Sequence, residues 1–213
     1  LDWHWNEDKY LNLLQISGGF KRIIEYRNEI HSAISDNFCS KVQARKQFHY
    51  KKIIMSGAIK LREGVLRLIN ELDSYNIQQF IVTTSGRESL EPILNTSLSS
   101  YVNLFSGIIT HEDVSNHKPF PDAYELAVQL SKTSHSNCIA IEDSTIGVEA
   151  ARAANINCLL TLPPWTTSKE NISYKANACV SSLGSIKNPC ELIYGERLFR
   201  NNVDIQYLSK IIN

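Results

Sequence analysis

Ile139-Ala140-Ile141-Glu142-Asp143-Ser144-Thr145-Ile146-Gly147 is an apolar run that ends in two acids and passes at once into a helix-starting sequence. Such a run reads as a strand buried on both faces, the kind found in parallel sheets covered by helices. In these sheets ligands gather outside the carboxyl ends of the strands, which is where Glu142 and Asp143 fall. Neighbouring strand residues point to opposite faces, but in the turn that follows both acids can reach one cation. Hard oxygen ligands suit magnesium, which takes one or two carboxylates together with water and substrate oxygens. Ser144 or Thr145 can cap the helix that begins near Ile146. The free N–H groups and dipole of that helix start favour an anion. An acidic turn that merely caps a helix is the alternative reading.

Working outward, strand-like runs alternate with helical patterns from residue 58 to the end of the chain. Helical spacing covers residues 64–75, 87–94, 123–130 and 146–154; short apolar runs cover 79–84, 107–110, 137–141, 157–162 and 178–180. Asp122 is placed to cap the third of these helices. The expected fold class is therefore α/β, a Rossmann-like parallel sheet with helices on both faces. Residues 1–57 carry no strand signal and read as a separate α-helical module, with helices over 7–14, 20–34 and 39–54. Trp3, Trp5 and Tyr10 read as the core of that module.

Two more strand-end loops carry candidate chemistry. In His117-Lys118-Pro119-Phe120-Pro121-Asp122 the two prolines stiffen the loop, so the Lys118 ammonium is rigidly aimed and can balance phosphate charge. In Thr83-Thr84-Ser85-Gly86-Arg87, hydroxyls and free N–H groups at a helix start can cradle a phosphate, although capping by Ser85 alone explains the same residues. Taken together, hydroxyl, lysine and acid pair, each on its own strand-end loop, describe a site for a phosphate and a divalent metal.

Composition narrows the alternatives. The 213 residues hold 22 basic and 22 acidic side chains, a balance that argues against a nucleic-acid footprint. No run of about 18 apolar residues is present to suggest a transmembrane helix. Cys39, Cys138, Cys158, Cys179 and Cys190 are scattered and odd in number, which argues against a zinc site or a disulfide framework and fits a reducing compartment. The six histidines lack ligand spacing. Two sequons, at Asn95 and Asn171, are read as coincidental.

Thr84, Lys118-Pro119-Phe120-Pro121-Asp122 and Glu142-Asp143-Ser144-x-x-Gly147 resemble motifs II, III and IV of the haloacid dehalogenase superfamily. The helical module resembles its inserted cap. Ser17-Gly18-Gly19-Phe20-Lys21-Arg22-Ile23, Leu162-Pro163-Pro164-Trp165-Thr166-Thr167 and Ser182-Leu183-Gly184 resemble the CbbY-like branch, near β-phosphoglucomutase and sugar-phosphate phosphatases. The resemblance implies a magnesium-dependent phosphatase of a small phosphorylated sugar, with a pentulose bisphosphate as the suggested substrate. It assigns Thr84 and Lys118 to catalysis, Glu142 and Asp143 to magnesium, and Thr84, Ser85, Lys118, Gly19 and Lys21 to substrate; Arg22 is a further candidate. A phosphomutase and a non-catalytic remnant are the alternatives. The superfamily's motif I, Asp-x-Asp-Gly, supplies the nucleophile and acid/base from a central strand. Here it would precede Leu1, so the chain is expected to be cut at its N-terminus, with a hole in the sheet between the strands ending at Thr84 and Glu142. Glu63 stands where proline is usual. A monomer without nucleic-acid or membrane partners is expected, in the cytoplasm or the plastid stroma.

Overall fold

The computed structural model describes residues 3–14, 16, 18–164, 166 and 175–212. Ser17, Trp165, Thr167 and the Asn171 sequon lie outside the described residues.

Three helices come first. Helix α1 (Glu7–Leu13) is capped by Asn6, whose Oδ1 accepts from Lys9 N at 2.9 Å. Helix α2 (Gly19–Glu29) packs against α3 (Asp36–Met55), which Ser35 caps through its side chain. Trp3 and Trp5 each meet the Tyr26 ring edge-on at 5.4 Å, tying the leading segment to α2. The expected helix over 20–34 stops at Glu29, because His31 turns left-handed at φ 50° and Ser32 N then satisfies the Arg27 carbonyl.

The α/β part follows as α4 (Val65–Ser74), β1 (Gln79–Val82), α5 (Arg87–Asn95), β2 (Phe105–Ile109), α6 (Asp122–Ser131), β3 (Ile139–Glu142), α7 (Thr145–Ala153), β4 (Asn157–Thr161), β5 (Ala178–Val180), β6 (Leu192–Tyr194) and α8 (Ile205–Ile212). The fold is the expected Rossmann-type α/β arrangement. Its strands form two sheets: β1 pairs in parallel with β2, and a second sheet runs β3-β4-β5-β6. Strands β3, β4 and β5 are parallel, while β6 is antiparallel to β5. Among the described residues no strand pairs with the free sides of β1 and β3.

Helix α7 lies tight on the second sheet because its inward face is small: Val148, Ala150, Ala151 and Ala154 are fully buried with Cys158 and Cys179 beside them. On the opposite face Leu68 of α4 and Tyr207, Leu208 and Ile211 of α8 cover Leu159, Ala178 and Val180. Each buried valine, leucine or isoleucine among them contributes about 1.5–3 kcal/mol. Strand β6 and helix α8 were not anticipated. Arg67 anchors that tail by donating to Val203 O at 2.6 Å and Leu183 O at 3.0 Å. No helix among the described residues is long and apolar enough to cross a membrane.

Candidate active site

The carboxyl ends of β1 and β3 face a common cleft of about 320 Å³. Thr83, Thr84, Lys118, Glu142, Asp143, Ser144 and Thr161 line it, so the three loops singled out from sequence converge. Lys118 is buried and spans the two sheets, donating from Nζ to Val82 O at 3.0 Å on β1 and to Glu142 Oε1 at 2.5 Å on β3. Tyr124, on the first turn of α6, donates its hydroxyl to the same Glu142 oxygen. Burial and the Glu142 charge push the Tyr124 phenol well above its usual range, so it stays a donor. The Lys118–Pro119 peptide is cis.

The two acids divide. Both were expected to reach one cation, but Glu142 is buried and its Oε1 is taken by Lys118 and Tyr124. Its other oxygen lies over Gly147: a Cβ built there would sit 1.9 Å from Glu142 Oε2. Asp143 instead is exposed and lines the cleft. Among the described residues no three His, Cys, Asp or Glu side chains cluster to hold a metal. This donor set fits a cation that draws most of its oxygens from water and substrate, as magnesium does, with Asp143 as its carboxylate.

Ser144 caps α7, its Oγ accepting from Gly147 N at 3.2 Å. Two other caps differ from expectation. Asp122 is the first residue inside α6, and its carboxylate accepts from Asn116 Nδ2 at 2.9 Å rather than closing the helix start. Ser85 does not cap α5: Glu112, just past β2, reaches across and accepts from Arg87 N at 3.1 Å, leaving Ser85 exposed and outside the residues that line the cleft. Thr84 is half-buried in the cleft wall.

In the helical module Lys21 is exposed, whereas Arg22 is half-buried and donates from Nε to Ile16 O at 2.8 Å. The Arg22 charge acts on Lys46 of α3, a residue to which the sequence assigns no role. Lys46 is exposed, and its ammonium reaches over the Gly19 backbone: a Cβ at Gly19 would lie 2.6 Å from Lys46 Nζ and 2.8 Å from Gln43 Oε1. Burial first, and the Arg22 charge second, lower the Lys46 pKa. Gln43 Oε1 is buried without a hydrogen-bond partner. Gly19 therefore serves by letting α3 side chains approach its backbone. The only sequence signal for Lys46 was a basic residue among many on α3. Helix α3 rests against α5, the helix that follows the Thr84 loop. A larger cleft, of about 720 Å³, lies among residues 55–67, 96–97 and Ser185; it contains none of Thr84, Lys118 and Asp143.

Residues 19–161 match the haloacid dehalogenase-like hydrolase family. Protein CbbY of Rhodobacter capsulatus is 32% identical over 167 residues, 78% of this chain and 74% of that protein. The plasmid-borne CbbY of Cupriavidus necator is 31% identical, over 89% of this chain and 76% of its own length. Among solved structures, CbbY from Rhodobacter sphaeroides in complex with xylulose-(1,5)bisphosphate superposes with a TM-score of 0.74 at 24% identity, covering 87% of this chain and 84% of that one. The chain thus belongs to the haloacid dehalogenase-like hydrolase family, with CbbY proteins among its relatives.

Proposed function

We propose that this chain forms the body of a magnesium-dependent phosphatase acting on a small phosphorylated sugar, by way of an aspartyl-phosphate. The observation that carries this reading is the Lys118 bridge: one buried ammonium joins the ends of β1 and β3 inside a cleft that also presents Thr84 and Asp143. A phosphoryl group there would accept a hydrogen bond from the Thr84 hydroxyl and have its charge balanced by Lys118. Glu142 and Tyr124 hold that ammonium in place. Asp143 would hold the magnesium, and Glu142, packed over Gly147, would act beside it through the ammonium it anchors. The metal, when bound, neutralises phosphoryl oxygens and aligns them for attack.

The nucleophile in this proposal is an aspartate on a strand entering between β1 and β3. Its support is the pair of strand sides left unpaired beside the cleft. The carboxylate oxygen attacks phosphorus and the phosphorus–oxygen bond to the sugar breaks, the departing oxygen taking a proton from the acid/base group that the same strand would carry. Water then cleaves the aspartyl-phosphate to inorganic phosphate and restores the carboxylate.

A bisphosphate of a pentulose is the preferred substrate in this reading. Arg22 and Lys46 place two cations together with no carboxylate paired to either among the described residues, an arrangement suited to a second phosphate. The exposed Lys21 would guide the anion without gripping it, and Ser85 would line the entrance. The CbbY structure that holds xylulose-(1,5)bisphosphate points to the same substrate class.

The test is phosphate release from xylulose-1,5-bisphosphate by the full-length polypeptide, with magnesium and with a chelator. Metal-dependent release is expected. Interconversion of sugar-phosphate isomers without release would replace the phosphatase by a mutase, and no turnover of any phosphorylated sugar would leave a non-catalytic remnant.

A further inference from the structure

The segment joining α3 to α4 carries Arg62, whose guanidinium is half-buried. One arm, Nη1, donates to Thr161 Oγ1 at 2.9 Å. The other, Nη2, donates to Leu162 O at 2.5 Å and lies 3.4 Å from Ser181 O. Thr161 ends β4 and is buried, and its hydroxyl donates in turn to Glu142 O at 3.2 Å. A hydroxyl has one proton to give, and the Arg62 contact commits that proton to the Glu142 carbonyl. A continuous relay therefore runs from the connection below the helical module to the peptide immediately before Asp143. Among the described residues no ion pair engages Arg62, and the carboxylate whose charge acts on it is Asp143. Burial lowers the Arg62 pKa, an effect that Asp143 opposes.

We propose that Arg62 is a positioning residue: through Thr161 it fixes the Glu142–Asp143 peptide, and so the direction in which the Asp143 carboxylate faces the cleft. This inference rests on Asp143 being the magnesium carboxylate. The fork reaches Thr161 Oγ1 and Leu162 O from two separate nitrogens, whereas lysine keeps the charge but presents its donors from a single nitrogen, so the two contacts cannot keep this spacing. Arg67 is the natural control. It clamps Leu183 O and Val203 O in a similar way, but on the tail, with no link to the acid turn.

The experiment is a magnesium titration of the full-length chain without substrate, followed through the amide resonances of Asp143 and Ser144, with thermal unfolding alongside. Arg62→Lys and Thr161→Val are each expected to weaken magnesium binding about tenfold, the size of effect typical of groups that orient a metal ligand. The double variant should be no weaker than the poorer single one, since both break one relay. Arg67→Lys should lower the melting temperature and leave the affinity unchanged. Wild-type affinity in both Arg62→Lys and Thr161→Val, or losses that multiply in the double variant, would overturn the inference. Should Arg62→Lys fail to fold, unchanged affinity in Thr161→Val overturns it alone. A wild-type chain that binds no magnesium defeats the underlying reading of Asp143 instead, and this inference with it.

Discussion

The Glu142 carboxylate occupies the space that a side chain at Gly147 would fill, with Oε2 1.9 Å from the position of a Cβ there. This contact explains why the helix after the acid turn begins as it does. A glycine five residues on lets the carboxylate fold back over α7 and present its other oxygen to Lys118 and Tyr124. Gly147→Ala is expected to push Glu142 out of that pocket and cost about 1–3 kcal/mol, the range for overpacking a tight site. Urea unfolding measures the loss. Phosphatase turnover should fall with it, because the Lys118 ammonium loses its anchor.

Lys118→Met removes one half of a buried ion pair whose partners are 8% and 7% exposed. Breaking such a pair from one side strands the remaining charge, so a loss of about 3–5 kcal/mol is expected. The Lys118→Met/Glu142→Leu double variant should recover part of that stability while remaining inactive. Denaturant unfolding of the two variants separates the ion pair's part in stability from its part in the site.

Alkaline pH should weaken the fold. Burial pushes the Cys158 thiol from 9.0 up to about 12, with the Glu142 charge adding and Lys118 opposing. Burial also pushes Cys179 from 9.0 up to about 11 and the Tyr207 phenol from 10.0 up to about 12. The folded state keeps protons that the unfolded chain releases, so stability is full below about pH 9 and is lost as pH rises through these raised values. Urea midpoints measured from neutral pH upward should fall beyond pH 9, and Cys158→Ala should shallow the fall.

Lys46→Ala and Arg22→Ala should each lower kcat/KM for a sugar bisphosphate about tenfold or more, the loss of one charge-assisted contact of roughly 1.5–3 kcal/mol. The same changes should spare the monophosphate. Lys21→Ala, which removes an exposed cation, should stay within about twofold. Steady-state kinetics on the paired substrates gives the comparison.

How much of this was legible in the chain varies by element. The run ending in Glu142-Asp143 and the alanine-rich helix after it reveal a buried parallel strand and its close-packed cover, because both patterns are local. The bounds of β5 and the start of α5 follow for the same reason. Helix α8 was missed although Tyr207, Leu208 and Ile211 keep helical spacing. Its role rests on Arg67 holding Val203, an interaction between residues far apart in sequence. The capping of α5 by Glu112 was illegible for the same cause: the carboxylate arrives from another strand and displaces the nearby Ser85.

Sequence alone determined the α/β class, the helical module and the three loops that carry Thr84, Lys118 and Asp143, since periodicity and motif spacing are properties of neighbouring residues. Tertiary structure decided the division of labour between Glu142 and Asp143, which are adjacent and chemically alike. Lys118, Tyr124 and the bare backbone of Gly147 claim one carboxylate, and the cleft receives the other. It also brought Lys46 to Arg22 across two helices and Arg62 to Thr161 across the core. Such meetings depend on how whole elements pack, and no local pattern records them.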